Sequence, residues 1–83
     1  MAEYQISTSG NPRIVTRRTV TSACDAFRLR VFDATAAQAL RDTQGGWDAH
    51  HAALRACEVM RATRAGSQTV TIGQRTVIIE RVA

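Results

Sequence analysis

The most regular hydrophobic pattern in the chain lies between residues 47 and 66, which read WDAHHAALRACEVMRATRAG. Its apolar positions recur at spacings of three and four, which is typical of one helical face: Ala49, Ala53, Ala56 and Met60, with Cys57 beside them. Gly45 and Gly46 break the backbone before this segment, and Gly66 supplies a residue that can end a helix. We predict a central helix whose alanine stripe packs closely on another element, most plausibly a sheet.

Two strands are predicted before this helix. Residues 4–8 alternate weakly, and the turn-forming run Ser9-Gly10-Asn11-Pro12 closes them. Residues 13–21 are rich in β-branched side chains and follow directly. We expect the two strands to pair as a hairpin. The second should lie at a sheet edge, because its faces are mixed and its arginines discourage edge-to-edge association.

The strongest strand signal is the C-terminal hairpin. Residues 68–72 and 76–82 alternate and are β-branched, and they flank Gly73-Gln74-Arg75. Gly73 permits a positive φ and therefore a tight reversal.

Residues 22–44 allow two interpretations. In the preferred one, Phe27, Leu29 and Val31 alternate with Arg28 and Arg30, which predicts a strand with an apolar inner face and a cationic outer face. A helix from residue 36 to about residue 43 then follows, with a capping box over residues 35–38.

The alternative is a single helix from Ala23, capped by Ser22, but Asp25 and Arg28 then intrude among its apolar positions. With the first interpretation the order is β-β-β-α-α-β-β. That order is an α+β two-layer sandwich, with an antiparallel sheet packed on two helices in a single domain over residues 1–83.

The composition indicates a thin core. Aromatic residues make up only 5% of the 83-residue chain, and alanine supplies much of its hydrophobic fraction. Short chains bury a smaller share of their surface than long ones. We therefore expect a partner to complete the surface, either a second copy in a homodimer or a target protein.

All eleven basic residues are arginine. The absence of lysine excludes a lysine-containing phosphate-binding loop and any Schiff-base chemistry. The net charge of +4 favours acidic partners, either nucleic acid or an acidic protein face. The first residues lack an apolar core behind a basic start, and no apolar run is long enough for a membrane span. We expect a cytoplasmic protein with no membrane contact, in which Cys24 and Cys57 are reduced, buried thiols.

No pattern indicates catalysis. His50 and His51 are adjacent and point about 100° apart on a helix, so they cannot chelate one metal ion. His50 and Cys57 are two turns apart, about 10 Å along the axis, which is too far for a thiolate–imidazole pair. We predict a non-enzymatic protein without a metal or cofactor.

Five residues are the candidate contacts: Arg17, Arg28, Arg30, Trp47 and Arg61. Arg28 and Arg30 share the outer face of the proposed strand, whereas Arg61 and Arg64 lie near the end of the central helix. Either these arginines form a surface for an anionic target, or they take the solvent-facing positions of a lysine-free chain. Trp47 is either an anchor at the core or its rim, or an interface hot spot.

Two segments resemble parts of bacteriophage proteins. Residues 67–77, which follow a helix, resemble the helix-plus-hairpin element of phage head–tail joining proteins. Residues 27–37, read FRLRVFDATAA and predicted as a strand that leads into a helix, are similar to elements of some small anti-CRISPR proteins. The second resemblance implies a phage-encoded, non-catalytic inhibitor that occupies a surface of a CRISPR effector.

Three functions follow as expectations. The first is a small phage or mobile-element protein that sterically blocks a partner with an acidic or nucleic-acid-binding surface, most concretely an anti-CRISPR-type inhibitor. The second is a structural phage adaptor that self-assembles. The third is a nonspecific nucleic-acid-binding protein with phosphate-driven, salt-dependent association.

Overall fold

A four-stranded antiparallel sheet with two helices on one face makes up the fold in the computed structural model, which describes residues 2–63 and 66–83. The α+β class predicted from the sequence is confirmed, but the order of the elements is β-β-α-α-β-β. In chain order the elements are β1 (Tyr4–Thr8), β2 (Asn11–Arg17), α1 (Val20–Ala37), α2 (Gln44–Thr63), β3 (Ser67–Ile72) and β4 (Arg75–Arg81).

The sheet pairs the first strand of the chain with the last. Its strand order is β2-β1-β4-β3, and β1 pairs antiparallel with both β2 and β4. Ile6 lies opposite Ile79 at the centre, and both side chains are fully buried under the helices. The predicted hairpin of β1 with β2 and the edge position of β2 are confirmed. Apart from the half-buried Val15, every residue of β2 is exposed.

Both hairpins turn at a glycine with positive φ. In the C-terminal hairpin Gly73 has a φ of 56°, as predicted, and its turn is the two-residue segment Gly73-Gln74. In the N-terminal hairpin Gly10 has a φ of 77° and the turn is Ser9-Gly10. Asn11 and Pro12, which we assigned to this turn, belong to β2. The edge position tolerates Pro12, because a proline there removes no hydrogen bond from a strand interior.

The predicted third strand is wrong, because residues 20–37 form the single helix α1. Thr19 caps it, in an extended conformation, and its hydroxyl accepts a hydrogen bond from the Ser22 backbone amide at 3.1 Å. The alternative interpretation, a single helix capped by Ser22, was closer to the structure, although the observed cap lies three residues before Ser22. The end of the predicted second strand, residues 20 and 21, also belongs to α1.

The buried face of α1 does not include every apolar residue that the strand interpretation placed in the core. Its buried apolar residues recur at helical spacing: Ala23, Cys24, Phe27, Val31 and Ala34. Leu29, which alternation placed on the inner face, is 61% exposed. Asp25 and Arg28, which counted against a helix, are exposed beside the stripe and do not enter the core.

The predicted helix over residues 36–43 is also wrong. Thr35 is no N-cap: it is buried in the last turn of α1, where its hydroxyl donates to the Val31 carbonyl. Ala39 then adopts a left-handed φ of 57° and ends the helix. The side chain of Gln38 reaches the C-terminal hairpin, where its amide nitrogen donates to the Ile72 carbonyl and its oxygen accepts from the Gln74 amide.

The central helix is confirmed as α2, with a shifted start. Its predicted alanine stripe is buried against α1 and β3: Ala49, Ala53, Ala56, Cys57 and Met60. The glycine pair does not break the backbone before the helix, since Gly45 and Gly46 lie in its first turn. Thr43 starts the helix, because its hydroxyl accepts from the Gly46 amide at 3.2 Å. The helix is described as far as Thr63, and Arg64 lies outside the described residues.

Candidate functional site

Helix α1 separates two concave surfaces. The first, which we name the aromatic groove, lies between α1 and α2 and has a volume of about 420 Å³. Its lining residues are Arg28, Val31, Phe32, Thr35, Arg41, Asp42, Gly46, Trp47, His50 and Ala53. The second, the arginine cleft, lies between β2 and α1 and has a volume of about 570 Å³. Its polar and charged lining is Thr8, Asn11, Arg13, Arg17, Arg30, Asp33 and Arg75.

The aromatic groove holds both exposed aromatic side chains of the protein. The chain has four aromatic residues, and two of them, Tyr4 and Phe27, are buried in the core. Phe32 is 51% exposed and Trp47 is 56% exposed, and both line this one groove. Large aromatic side chains are normally removed from water. Their joint exposure at one concave surface therefore distinguishes the groove from the rest of the molecule.

The connection between the helices sets the shape of the groove. It turns through left-handed residues at Ala39 and at Asp42, whose φ is 63°. It packs so tightly on the first turn of α2 that a Cβ added at Gly46 would lie 2.3 Å from the Leu40 carbonyl oxygen. This close approach places Trp47 beside α1, on the same groove as Phe32.

Cationic and polar groups surround the two aromatic rings. The Arg41 guanidinium lies 5.6 Å from the centre of the Phe32 ring, within the range of a cation–π contact. The rings of His50 and His51 lie 6.2 and 6.1 Å from that of Trp47. Arg28 and Arg41 make the charge of the lining positive, with Asp42 as the one carboxylate among its described residues.

The arginines that line the arginine cleft lie on three different elements. Arg13 and Arg17 come from β2, Arg30 from α1 and Arg75 from β4. Arg30 donates to the Thr8 hydroxyl at 3.0 Å and to the Arg13 carbonyl at 2.8 Å, so it holds α1 against the N-terminal hairpin. Arg30 thus has a structural role beside any binding role.

The structure distributes the predicted contact residues over these two surfaces. The prediction that Arg28 and Arg30 share one face is wrong, because two positions along a helix are separated by about 200° around its axis. Arg28 joins Trp47 at the aromatic groove, while Arg30 joins Arg17 in the arginine cleft. Arg61 is exposed on α2 and lines neither surface, and Arg64 lies outside the described residues.

Among the arginine, phenylalanine and tryptophan residues that line the two surfaces, sequence reasoning missed four: Phe32, Arg41, Arg13 and Arg75. The exposure of Phe32 could have been predicted from the sequence, because in a single helix it lies about 140° around the axis from Phe27 and therefore outside the buried stripe. Arg75 carried none. It reaches the cleft only because β4 pairs with β1, which brings it to the Ser9 carbonyl at 2.8 Å.

The two cysteines are buried free thiols, as predicted. The Cys57 sulfur lies 3.9 Å from the Cys24 carbonyl oxygen, where α2 crosses α1. Burial, reinforced by the neighbouring Cys24 thiol, raises the pKa of Cys57 to about 12. The thiol is therefore neutral at physiological pH and serves as a small apolar side chain. Within residues 2–63 and 66–83, no three His, Cys, Asp or Glu side chains converge as metal ligands.

This environment predicts slow thiol chemistry in the folded protein. At pH 8, Cys57 should react with a thiol-specific reagent only as fast as the protein unfolds, because its side chain is buried from the reagent and its raised pKa leaves little of the reactive thiolate. The raised pKa also favours the folded state below about pH 9, and that contribution is lost as the pH rises towards about 12. The rate of labelling with and without urea measures this protection. Equal rates in both conditions would contradict it.

No family model, curated protein or solved structure matches this chain. In the described parts of the chain, neither helix has the length and apolar character needed to cross a membrane.

Proposed function

We propose that this protein is a non-enzymatic binding protein that covers a surface of an acidic partner protein, with the aromatic groove as its contact surface. The observation that carries the proposal is the joint exposure of Phe32 and Trp47 on a concave surface bordered by Arg28 and Arg41. Tryptophan and arginine dominate the energetics of protein interfaces, and they do so near the centre of the contact.

The chemistry of the groove defines the partner that it fits. Val31 and Ala53 give it an apolar floor, on which an aliphatic or aromatic side chain of the partner can be removed from water. Arg28 and Arg41 in its lining favour carboxylates of the partner beside that anchor. The net charge of +4 adds long-range attraction for an acidic protein, which raises the rate of association.

The most concrete form of this proposal is an anti-CRISPR-type inhibitor encoded by a phage or mobile element, acting in the cytoplasm. The resemblance of residues 27–37 was to a strand that leads into a helix, whereas these residues lie in one continuous helix, so this form is supported by the chemistry of the groove alone. This form stays a prediction, and so does the alternative of a self-assembling structural adaptor.

The proposal is tested by capture of host proteins on the immobilised protein, followed by affinity measurement with the captured partner. Trp47→Ala should weaken that binding at least about 30-fold, because a central tryptophan contributes about 2 kcal/mol or more. Arg28→Glu should also weaken it. Arg28 is changed alone, because Arg30 bonds to Thr8 and Arg13 and its loss would also affect the fold.

Leu54→Ala is the matched control. Leu54 is an exposed apolar residue of α2 that does not line the groove, so its removal should leave the affinity unchanged. A partner that binds wild type and Trp47→Ala equally would refute the proposal. Sedimentation of the purified protein tests the adaptor alternative: a ring or higher oligomer favours the adaptor, and a monomer or dimer favours the blocking protein.

A further inference from the structure

The arginine cleft has the features of a binding site that is separate from the aromatic groove. Arg30 of α1 lines it and stands two positions, or about 200° around the helix axis, from both Arg28 and Phe32, which line the aromatic groove. Its volume of about 570 Å³ is within the range of ligand sites. Four guanidinium groups and one carboxylate, Asp33, are the charged groups among its described lining residues.

Three of these guanidinium groups donate hydrogen bonds to the protein: Arg17 donates to the carbonyl of the adjacent Thr16 at 2.8 Å, and the other two are held by other segments of the chain. Arg30 is fixed by Thr8 and by the Arg13 carbonyl, and Arg75 is fixed by the Ser9 carbonyl. A guanidinium has five N–H donors, so each group keeps donors for a ligand while its position is set by the protein.

Two of the four cations are spread along β2. Arg13 and Arg17 are four residues apart, which is about 13 Å along a strand, and both line the cleft. Cations at this separation do not converge on one small ion. They match a series of anionic groups repeated along an extended chain.

We propose that the arginine cleft binds the phosphodiester backbone of a nucleic acid strand. Planar guanidinium groups pair with phosphate oxygens through two parallel hydrogen bonds, which suits a cleft whose cations are all arginine. None of the described residues that line the cleft is aromatic, so base stacking does not contribute and binding is independent of sequence. The site does not rest on the proposed function, since it shares no residue with the aromatic groove.

The test is fluorescence anisotropy of a labelled single-stranded oligothymidylate of about twelve nucleotides, titrated with the full chain over a range of salt concentrations. We expect binding that weakens steeply with salt, because each phosphate neutralised releases counterions. In the double variant Arg13→Gln, Arg17→Gln the affinity at low salt should fall at least tenfold. Its salt slope should also decrease by about 1.4, which corresponds to two phosphate contacts of a single strand.

The double variant Arg55→Gln, Arg61→Gln is the matched control. It removes the same charge from exposed positions of α2 that do not line the cleft. It should keep most of the affinity and the full salt slope. Equal losses in the two double variants would show that net charge alone is responsible, and the proposal would be overturned.

A gain of affinity separates the proposal from a folding defect. Asp33→Asn removes the carboxylate of the cleft and should tighten binding several-fold, whereas Glu58→Gln makes the same charge change on α2 and should have a much smaller effect. No binding of the oligonucleotide at low salt would reject the site. Tripolyphosphate binding as tightly as the oligonucleotide would reject its assignment to nucleic acid. Capture of a partner through the aromatic groove would be unaffected by either result.

Discussion

Phe27→Ala should lower the free energy of unfolding by about 3–5 kcal/mol, whereas Leu29→Ala should change it by less than about 1 kcal/mol. Phe27 is the largest fully buried side chain of the protein, and its loss leaves a cavity between α1 and the sheet. Leu29 is 61% exposed on the same helix, so its truncation removes little buried surface.

The effect of Phe27→Ala is large relative to the whole stability of the domain. A domain of 83 residues is stable by only about 4–12 kcal/mol, so the variant should lose from about a quarter to all of that stability. Urea denaturation followed by circular dichroism measures the difference. Phe32→Ala is the matched control, because it removes the same side chain from an exposed position of the same helix and should stay near wild type.

The same experiment separates the two interpretations of residues 22–44. In a strand, Phe27, Leu29 and Val31 share one buried face, and truncation of each should destabilise the protein strongly. In the helix α1, Phe27 and Val31 are buried and Leu29 is not. Equal losses of stability for Phe27→Ala and Leu29→Ala would therefore contradict the helix.

Gly46→Ala should destabilise the protein by about 1–3 kcal/mol or more, while Gly45→Ala should stabilise it by about 0.5–1 kcal/mol. Both glycines lie in the first turn of α2, where alanine is the better helix former. At Gly45 an added Cβ makes ordinary contacts, the nearest at 3.7 Å to the Thr43 hydroxyl. At Gly46 it would lie 2.3 Å from the Leu40 carbonyl oxygen, which is backbone and cannot rotate away.

The two variants serve as controls for each other, because the expected changes in stability have opposite signs at adjacent positions. Helix propensity alone predicts stabilisation at both sites, so only the packing of the interhelical connection against Gly46 produces the difference. Thermal unfolding of the two variants measures it. Stabilisation by Gly46→Ala would show that the connection does not pack closely here, and the geometry that places Trp47 at the aromatic groove would then be wrong.

The candidate site was only partly predictable from the sequence. Arg13, Arg41 and Arg75 were not selected. Trp47, Arg17, Arg28 and Arg30 were identifiable by type, because the chain has few aromatic residues and all its basic residues are arginine. Their grouping was not identifiable. It depends on the helical geometry of residues 20–37, which turns Arg28 to one side of α1 and Arg30 to the other.

The sequence by itself determined the elements whose signal is local. The C-terminal hairpin followed from β-branched alternation around Gly73, and α2 followed from its alanine spacing, because in both cases the backbone period and the buried face coincide. The tertiary structure alone decided α1. The apolar side chains of Leu29 and Phe32 lie on its outer surface, and they obscure the helical period in the sequence. Phe27 and Val31 are the residues that become buried because α1 packs against β1, β4 and α2.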